Sequence, residues 1–142
     1  MMRILGLDVG EKRIGLAISD PLCKIASGLD QIERDNKSNQ TFQQIKKFIL
    51  QYEIERVVVG LPWNMKGEEG WEAKKIRSFV DCLLAEISIP VFFADERFST
   101  VLAEKILKEG KVSFSKRKRV KDKLAAVIIL QSYLDSQESY DD

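Results

Sequence analysis

Two short apolar runs, RILGLDV at 3–9 and RIGLAIS at 13–19, stand only Gly10-Glu11-Lys12 apart. Both alternate as strands do, and a connection this short permits only an antiparallel hairpin. In the first run Ile4, Gly6 and Asp8 share one face, and Leu5, Leu7 and Val9 share the other. Asp8 is therefore a carboxylate in a strongly hydrophobic strand. That placement is costly unless the group is paired or bound to a cation. The ordinary alternative is a strand-end aspartate that caps the turn.

The rest of the chain alternates helix and strand. Asp20-Pro21 ends the hairpin, and a weaker third strand falls between Ile25 and Arg34. Phe42, Ile45, Ile49 and Tyr52 recur at helical spacing. Arg56 to Leu61 (RVVVGL), stopped by Pro62, has the composition of a buried strand. Ile76, Phe79, Val80, Leu83 and Ile87 mark a second helix, and Val91 to Asp95 a further strand after Pro90. Ser99 can cap a helix running to about Glu109, with Gly110 as its stop. A basic loop then leads to a final helix from Val120 to about Asp135, which is apolar all round from Leu124 to Leu130 and so predicted to be deeply buried. The order β-β-β-α-β-α-β-α-α predicts an α/β fold: a mixed sheet with helices on both faces. At 142 residues, without repeats or linkers, residues 1–142 are expected to form a single domain.

Composition removes much chemistry. There is no histidine, so histidine bases, histidine metal ligands and Ser-His-Asp catalysis are excluded. Cys23 and Cys82 lack the spacing of a zinc site and are expected to be buried free thiols. No segment is long and apolar enough for a signal peptide or membrane span, which predicts a soluble cytoplasmic protein with no membrane partner. The net charge of +1 hides a basic block, in which Lys111, Lys116, Arg117, Lys118, Arg119, Lys121 and Lys123 face only Asp122, followed by an acidic tail from Asp135.

Further candidates lie at element ends. Asp95-Glu96-Arg97 ends a buried strand, where ligands bind in α/β sheets, although an internal ion pair and helix cap would also explain it. Asp122 precedes the last apolar run, and Ala125, Ala126 and Ile129 extend its helical face. Those small residues let the helix approach the sheet, while an acid in a helix's first turn is also favoured by the dipole alone. The glycine-bearing loop from Gly60 to Gly70 can present N–H groups to a phosphate, with Trp63 and Trp71 flanking it as stacking platforms or core residues. Taken together, three carboxylates from separate elements beside a basic block suit Mg²⁺ or Mn²⁺. Two such ions about 4 Å apart can activate water and stabilise the leaving oxygen of a phosphodiester.

The runs LDVGEKRIGLAISD at 7–20, Gly60-Leu-Pro with Met65, Gly67 and Gly70, Asp95-Glu-Arg with Ser99-Thr100, and Asp122 with AAVIILQSYL at 125–134 resemble the YqgF family, also called RuvX, over nearly the whole chain. The resemblance implies the ribonuclease H-like fold. It also implies metal-dependent phosphodiester hydrolysis in 5′-end processing of precursor 16S rRNA, with the small-subunit precursor as partner. Asp8, Glu96 and Asp122 would be the catalytic and metal-binding acids, with Asp95 the alternative to Glu96. Lys116, Arg117, Lys118, Arg119 and Trp63 would bind nucleic acid. One departure from the wider ribonuclease H-like pattern is the fourth strand, which ends at Val59-Gly60 without an acid. The same site would serve a resolvase of branched DNA, and a catalytically silent RNA- or ribosome-binding factor could keep the fold. Asp8-x-Gly10 also resembles the phosphate loop of sugar kinases and actin, but those need two lobes and this chain supplies one.

Overall fold

The computed structural model describes residues 2–62, 70–95 and 114–141, and within the last segment the side chains of 124–137. Strands β1 (Arg3–Val9) and β2 (Arg13–Ser19) form the expected antiparallel hairpin, with Leu5 opposite Ile18 and Asp8 opposite Gly15. Its turn closes through a hydrogen bond from the Gly10 N–H to the Arg13 carbonyl at 2.9 Å. A Cβ at Gly10 would stand 2.7 Å from that oxygen, so the turn requires glycine. The chain then reverses at Asp20, whose carboxylate accepts the N–H groups of Lys24 and Ile25 at 2.7 and 2.9 Å. These bonds hold the Asp20 carboxyl below the usual carboxylate range.

Strand β3 (Ala26–Glu33) continues the antiparallel meander. Strands β4 (Ile54–Leu61) and β5 (Val91–Asp95) add in parallel, giving the order β3-β2-β1-β4-β5. Helices α1 (Gln40–Gln51) and α2 (Trp71–Leu84) cover one face. There Leu5, Leu7 and Val9 of β1 share a core with Ile45 and Ile49 of α1 and with Phe79, Val80 and Leu83 of α2. Helix α3 (Phe114–Asp141) covers the other face, where Ile4, Ala17 and Val58 meet Ala126, Ile129, Leu130, Tyr133 and Leu134. The face assignment read from the alternation of β1 is thus observed on both sides of the sheet.

Three expectations are corrected. Helix α3 begins at Phe114, so residues 116–119 are helical backbone and not a loop. The reason is local: no glycine or proline follows Gly110, and Lys and Arg are good helix formers. Nor is α3 buried all round. Ala125, Ala126, Ile129 and Leu130 are buried, whereas Leu124, Val127 and Ile128 are only half-buried, because a single sheet lies beneath the helix. Finally, neither cysteine is buried. Cys82 is exposed because it lies off the Phe79–Val80–Leu83 stripe, and Cys23 is half-buried in a turn. The helix expected over 99–109 lies outside the described residues.

Candidate active site

Asp8 is half-buried near the C-terminal end of β1, on the face that α3 covers. The sheet around it is bare of side chains. Gly15 is its register partner on β2. On the other side the β1–β4 register, Leu7 against Val59, brings Gly60 level with Asp8 at its next step, and Gly60 pairs in turn with Ala94 of β5. Before it on the same face comes Gly6. The carboxylate therefore rises from a floor of glycine and alanine.

Helix α3 runs across this floor in the direction opposite to β1. Ile4 shares a small cavity with Leu134. Two residues further along β1, a Cβ at Gly6 would lie 2.8 Å from the Leu130 Cβ and 3.4 Å from the Ala126 carbonyl oxygen. Moving toward Asp8 therefore means moving toward the N-terminal part of α3. Asp122 lies in that part, one helical turn before Ala126.

Asp95 is placed differently. It ends β5 and is exposed, with Leu61 as its register partner. Leu61 and Phe93 pack into the α1–α2 core, whereas Ala94 packs against α3. The alternation therefore sets Asp95 on the face opposite to Asp8. Glu96 and Trp63 lie outside the described residues, as do the side chains of Lys116, Arg117, Lys118, Arg119 and Asp122. Among the described residues, no group of three or more acidic or cysteine side chains is arranged to hold a metal.

On the other side of the sheet end, a groove of about 840 Å³ opens beside Val9 and Gly10, lined in part by Lys12, Arg34, Lys75 and Phe79. The Arg34 guanidinium donates to the Gly10 carbonyl at 2.7 Å and lies 4.9 Å from the Phe79 ring centre. Burial lowers its pKa, against the pull of Glu11. Lys75 bridges to Glu11 at 3.4 Å, and its Nζ lies 4.0 Å from the centre of the Trp71 ring. Trp71 opens α2 and is 60% exposed, so it is not a core residue. Sequence reasoning does not single out Lys12, Arg34 and Lys75. They converge from a turn, a strand end and a helix, and no local spacing marks them.

Among the described residues, no helix is long and apolar enough to cross a membrane. A family model described as "RuvX: Holliday junction resolvase" matches residues 2–136. A protein of Listeria monocytogenes named "Putative pre-16S rRNA nuclease" is 50% identical over 95% of this chain and 99% of its own length. Another of that name from Thermoanaerobacter pseudethanolicus is 50% identical over 97% and 99%. Among solved structures, Thermus thermophilus RuvC in complex with a Holliday junction superposes with a TM-score of 0.60 at 15% identity, covering 98% of this chain and 97% of the other. The fowlpox virus resolvase bound to junction DNA gives a TM-score of 0.52 at 16% identity, covering 96% and 99%. These likenesses establish the ribonuclease H-like fold. The match over nearly the whole chain, together with relatives at half identity, places this chain in the RuvX family.

Proposed function

We propose that this protein is a divalent-metal-dependent nuclease that hydrolyses phosphodiester bonds in 5′-end processing of precursor 16S rRNA in the cytoplasm, and that residues 1–142 act as one catalytic domain. The observation that carries the reading is Asp8: a half-buried carboxylate on a glycine floor, facing the helix that bears Asp122. A two-residue step along a strand covers about 6.6 Å and one helical turn about 5.4 Å, so the two elements stay roughly in step. With Leu130 nearest Gly6 and the Ala126 carbonyl beside it, Asp8 lies two residues further along β1, toward the part of α3 whose backbone carries Asp122.

The third acid of the proposed site is Glu96, with Asp95 as the alternative; Ala94 lies on the α3 face, and Asp95 follows it on the other. Gly60 supplies no acid, so the third carboxylate has to come from the end of β5. An all-oxygen donor set without histidine fits Mg²⁺ or Mn²⁺, and Asp8, Glu96 and Asp122 would hold it. When bound, such an ion supplies Lewis acidity toward the phosphodiester and a lowered pKa for the attacking water. The chain's own share is binding and orientation. Lys116, Arg117, Lys118 and Arg119 sit in the opening turns of α3, three to six residues before Asp122, where they can neutralise backbone phosphates. Trp63, two residues after β4 in sequence, is proposed to stack on a base.

The test is incubation of purified protein with RNA carrying precursor or mature 16S 5′ ends, and with four-way DNA junctions, each with Mg²⁺, Mn²⁺ or EDTA. The proposal expects metal-dependent cleavage of the precursor end. Cleavage of the junction alone would favour the resolvase, and binding without cleavage at any metal concentration the silent factor.

A further inference from the structure

Helix α3 packs on the sheet through small and large residues alike: Gly6 and Ala17 lie below it with Ile4 and Val58, and Ala126 is on its underside with Ile129, Leu130, Tyr133 and Leu134. Apolar packing holds the helix down, and directional contacts add to what fixes its axial position.

Two side chains supply them: the Tyr133 hydroxyl accepts from Arg56 of β4 at 3.0 Å, and Gln131 makes three bonds. The Gln131 Oε1 accepts the Ala26 N–H at 2.9 Å, while its Nε2 donates to the Lys24 carbonyl at 2.9 Å and to Asp135 Oδ1 at 3.0 Å. The two backbone groups fix which way the amide lies, since one is a donor and the other an acceptor. Lys24 belongs to the β2–β3 turn and Ala26 opens β3, next to the Lys24 and Ile25 N–H groups that the Asp20 carboxylate pins. Gln131 thus ties α3 to a braced part of the sheet. It lies nine residues beyond Asp122, about 13 Å along a rigid helix, so any slide at Gln131 is passed on to Asp122.

We propose that Gln131 is a positioning residue that sets the axial register of α3 on the sheet and thereby the match between Asp122 and Asp8. The inference rests on the reading of Asp8 and Asp122 as a cation site, and deepens it. Gln131→Met keeps the length and volume but makes neither backbone bond. Gln131→Glu keeps the acceptor for Ala26 and sets a carboxylate against the Lys24 carbonyl and Asp135.

The test uses the full chain in a Cys23→Ser, Cys82→Ser background. Spin labels at Lys46→Cys and Ser132→Cys, both exposed positions on α1 and α3, report the helix position as a distance distribution. Mn²⁺ affinity is measured in parallel on unlabelled protein by the loss of the free Mn²⁺ resonance. Both variants are expected to shift or broaden the distance distribution and to weaken Mn²⁺ binding by about three- to tenfold, the scale of coupling carried by remote packing changes. An unchanged distance distribution in a folded variant would overturn the proposal, and so would an altered distribution with parental Mn²⁺ affinity. If the parental protein binds no Mn²⁺, or Asp122→Asn binds it unchanged, the cation-site reading itself fails and the proposal with it. That outcome is visible before any Gln131 variant is compared.

Discussion

Gly6 lies directly beneath Leu130, so close that a Cβ on Gly6 would stand 2.8 Å from the Leu130 Cβ. This close approach sets the height of α3 above β1, and both residues belong to the elements that carry Asp8 and Asp122. Gly6→Ala must push the helix away or distort the strand, at a cost of about 1–3 kcal/mol. Denaturant unfolding checks this. Under the proposed function, the variant should also lose cleavage under conditions where it remains folded.

Asp20, like Asp35, should contribute to acid sensitivity. Its folded pKa lies below the ordinary value of 3.8 because the Ile25 and Lys24 N–H groups bond the charged form. The stabilisation is therefore complete above pH 3.8 and is lost as the pH falls below it through the folded value. Asn at position 20 keeps an acceptor oxygen without the titration. The expected result is a shallower fall of melting temperature with pH for Asp20→Asn than for the wild type over the acid limb.

Arg56 of β4 donates to the Tyr133 hydroxyl at 3.0 Å, which raises the pKa of the guanidinium, and lies 5.5 Å from the Phe92 ring centre. Tyr133→Phe should cost about 1 kcal/mol, the net worth of one part-buried bond to a charged group after solvation. Because Tyr133→Phe keeps the ring packed against the sheet, Mn²⁺ affinity should change less than in Gln131→Met.

How much of this is legible in the sequence differs by element. The β1–β2 hairpin and the face carrying Asp8 follow from period-two alternation bracketing a three-residue turn, and the structure shows both. Strand β5 is bounded correctly because Pro90 marks its start. The start of α3 is misread because the eye takes a run of lysine and arginine for a loop, although nothing in it breaks a helix. Cys82 is misjudged because its neighbours Leu83 and Leu84 are apolar in sequence, while burial follows the helical stripe. The sequence goes no further than a preference for Glu96 with Asp95 as the alternative, because the face of a strand-end residue depends on strand alternation, and Glu96 lies outside the described residues. Gln131 is invisible, since its partners are more than one hundred residues away.

Residues 116–119 are helical backbone and not a loop, in the same helix as Asp122. Replacing Lys116, Arg117, Lys118 and Arg119 together by Gln should flatten the salt dependence of RNA binding by about 0.7 log unit per log unit of salt for each phosphate no longer neutralised. Fluorescence anisotropy at several salt concentrations measures this. Helix content should be unaffected, because Gln is as good a helix former as Lys.

The central claim is that Asp8 is a cation ligand at the reacting phosphate and not a cap on a turn. The most direct measurement is thermal melting and precursor-RNA cleavage of wild type and Asp8→Asn, each with and without millimolar Mn²⁺. Asn keeps the shape and loses the charge. Clustered carboxylates repel one another when no cation is bound, so the metal-free variant should melt at or slightly above the wild type. Mn²⁺ should raise the melting temperature of the wild type and not of the variant, and only the wild type should cut. Full cleavage by Asp8→Asn, or a wild type whose melting temperature ignores Mn²⁺, would contradict the account.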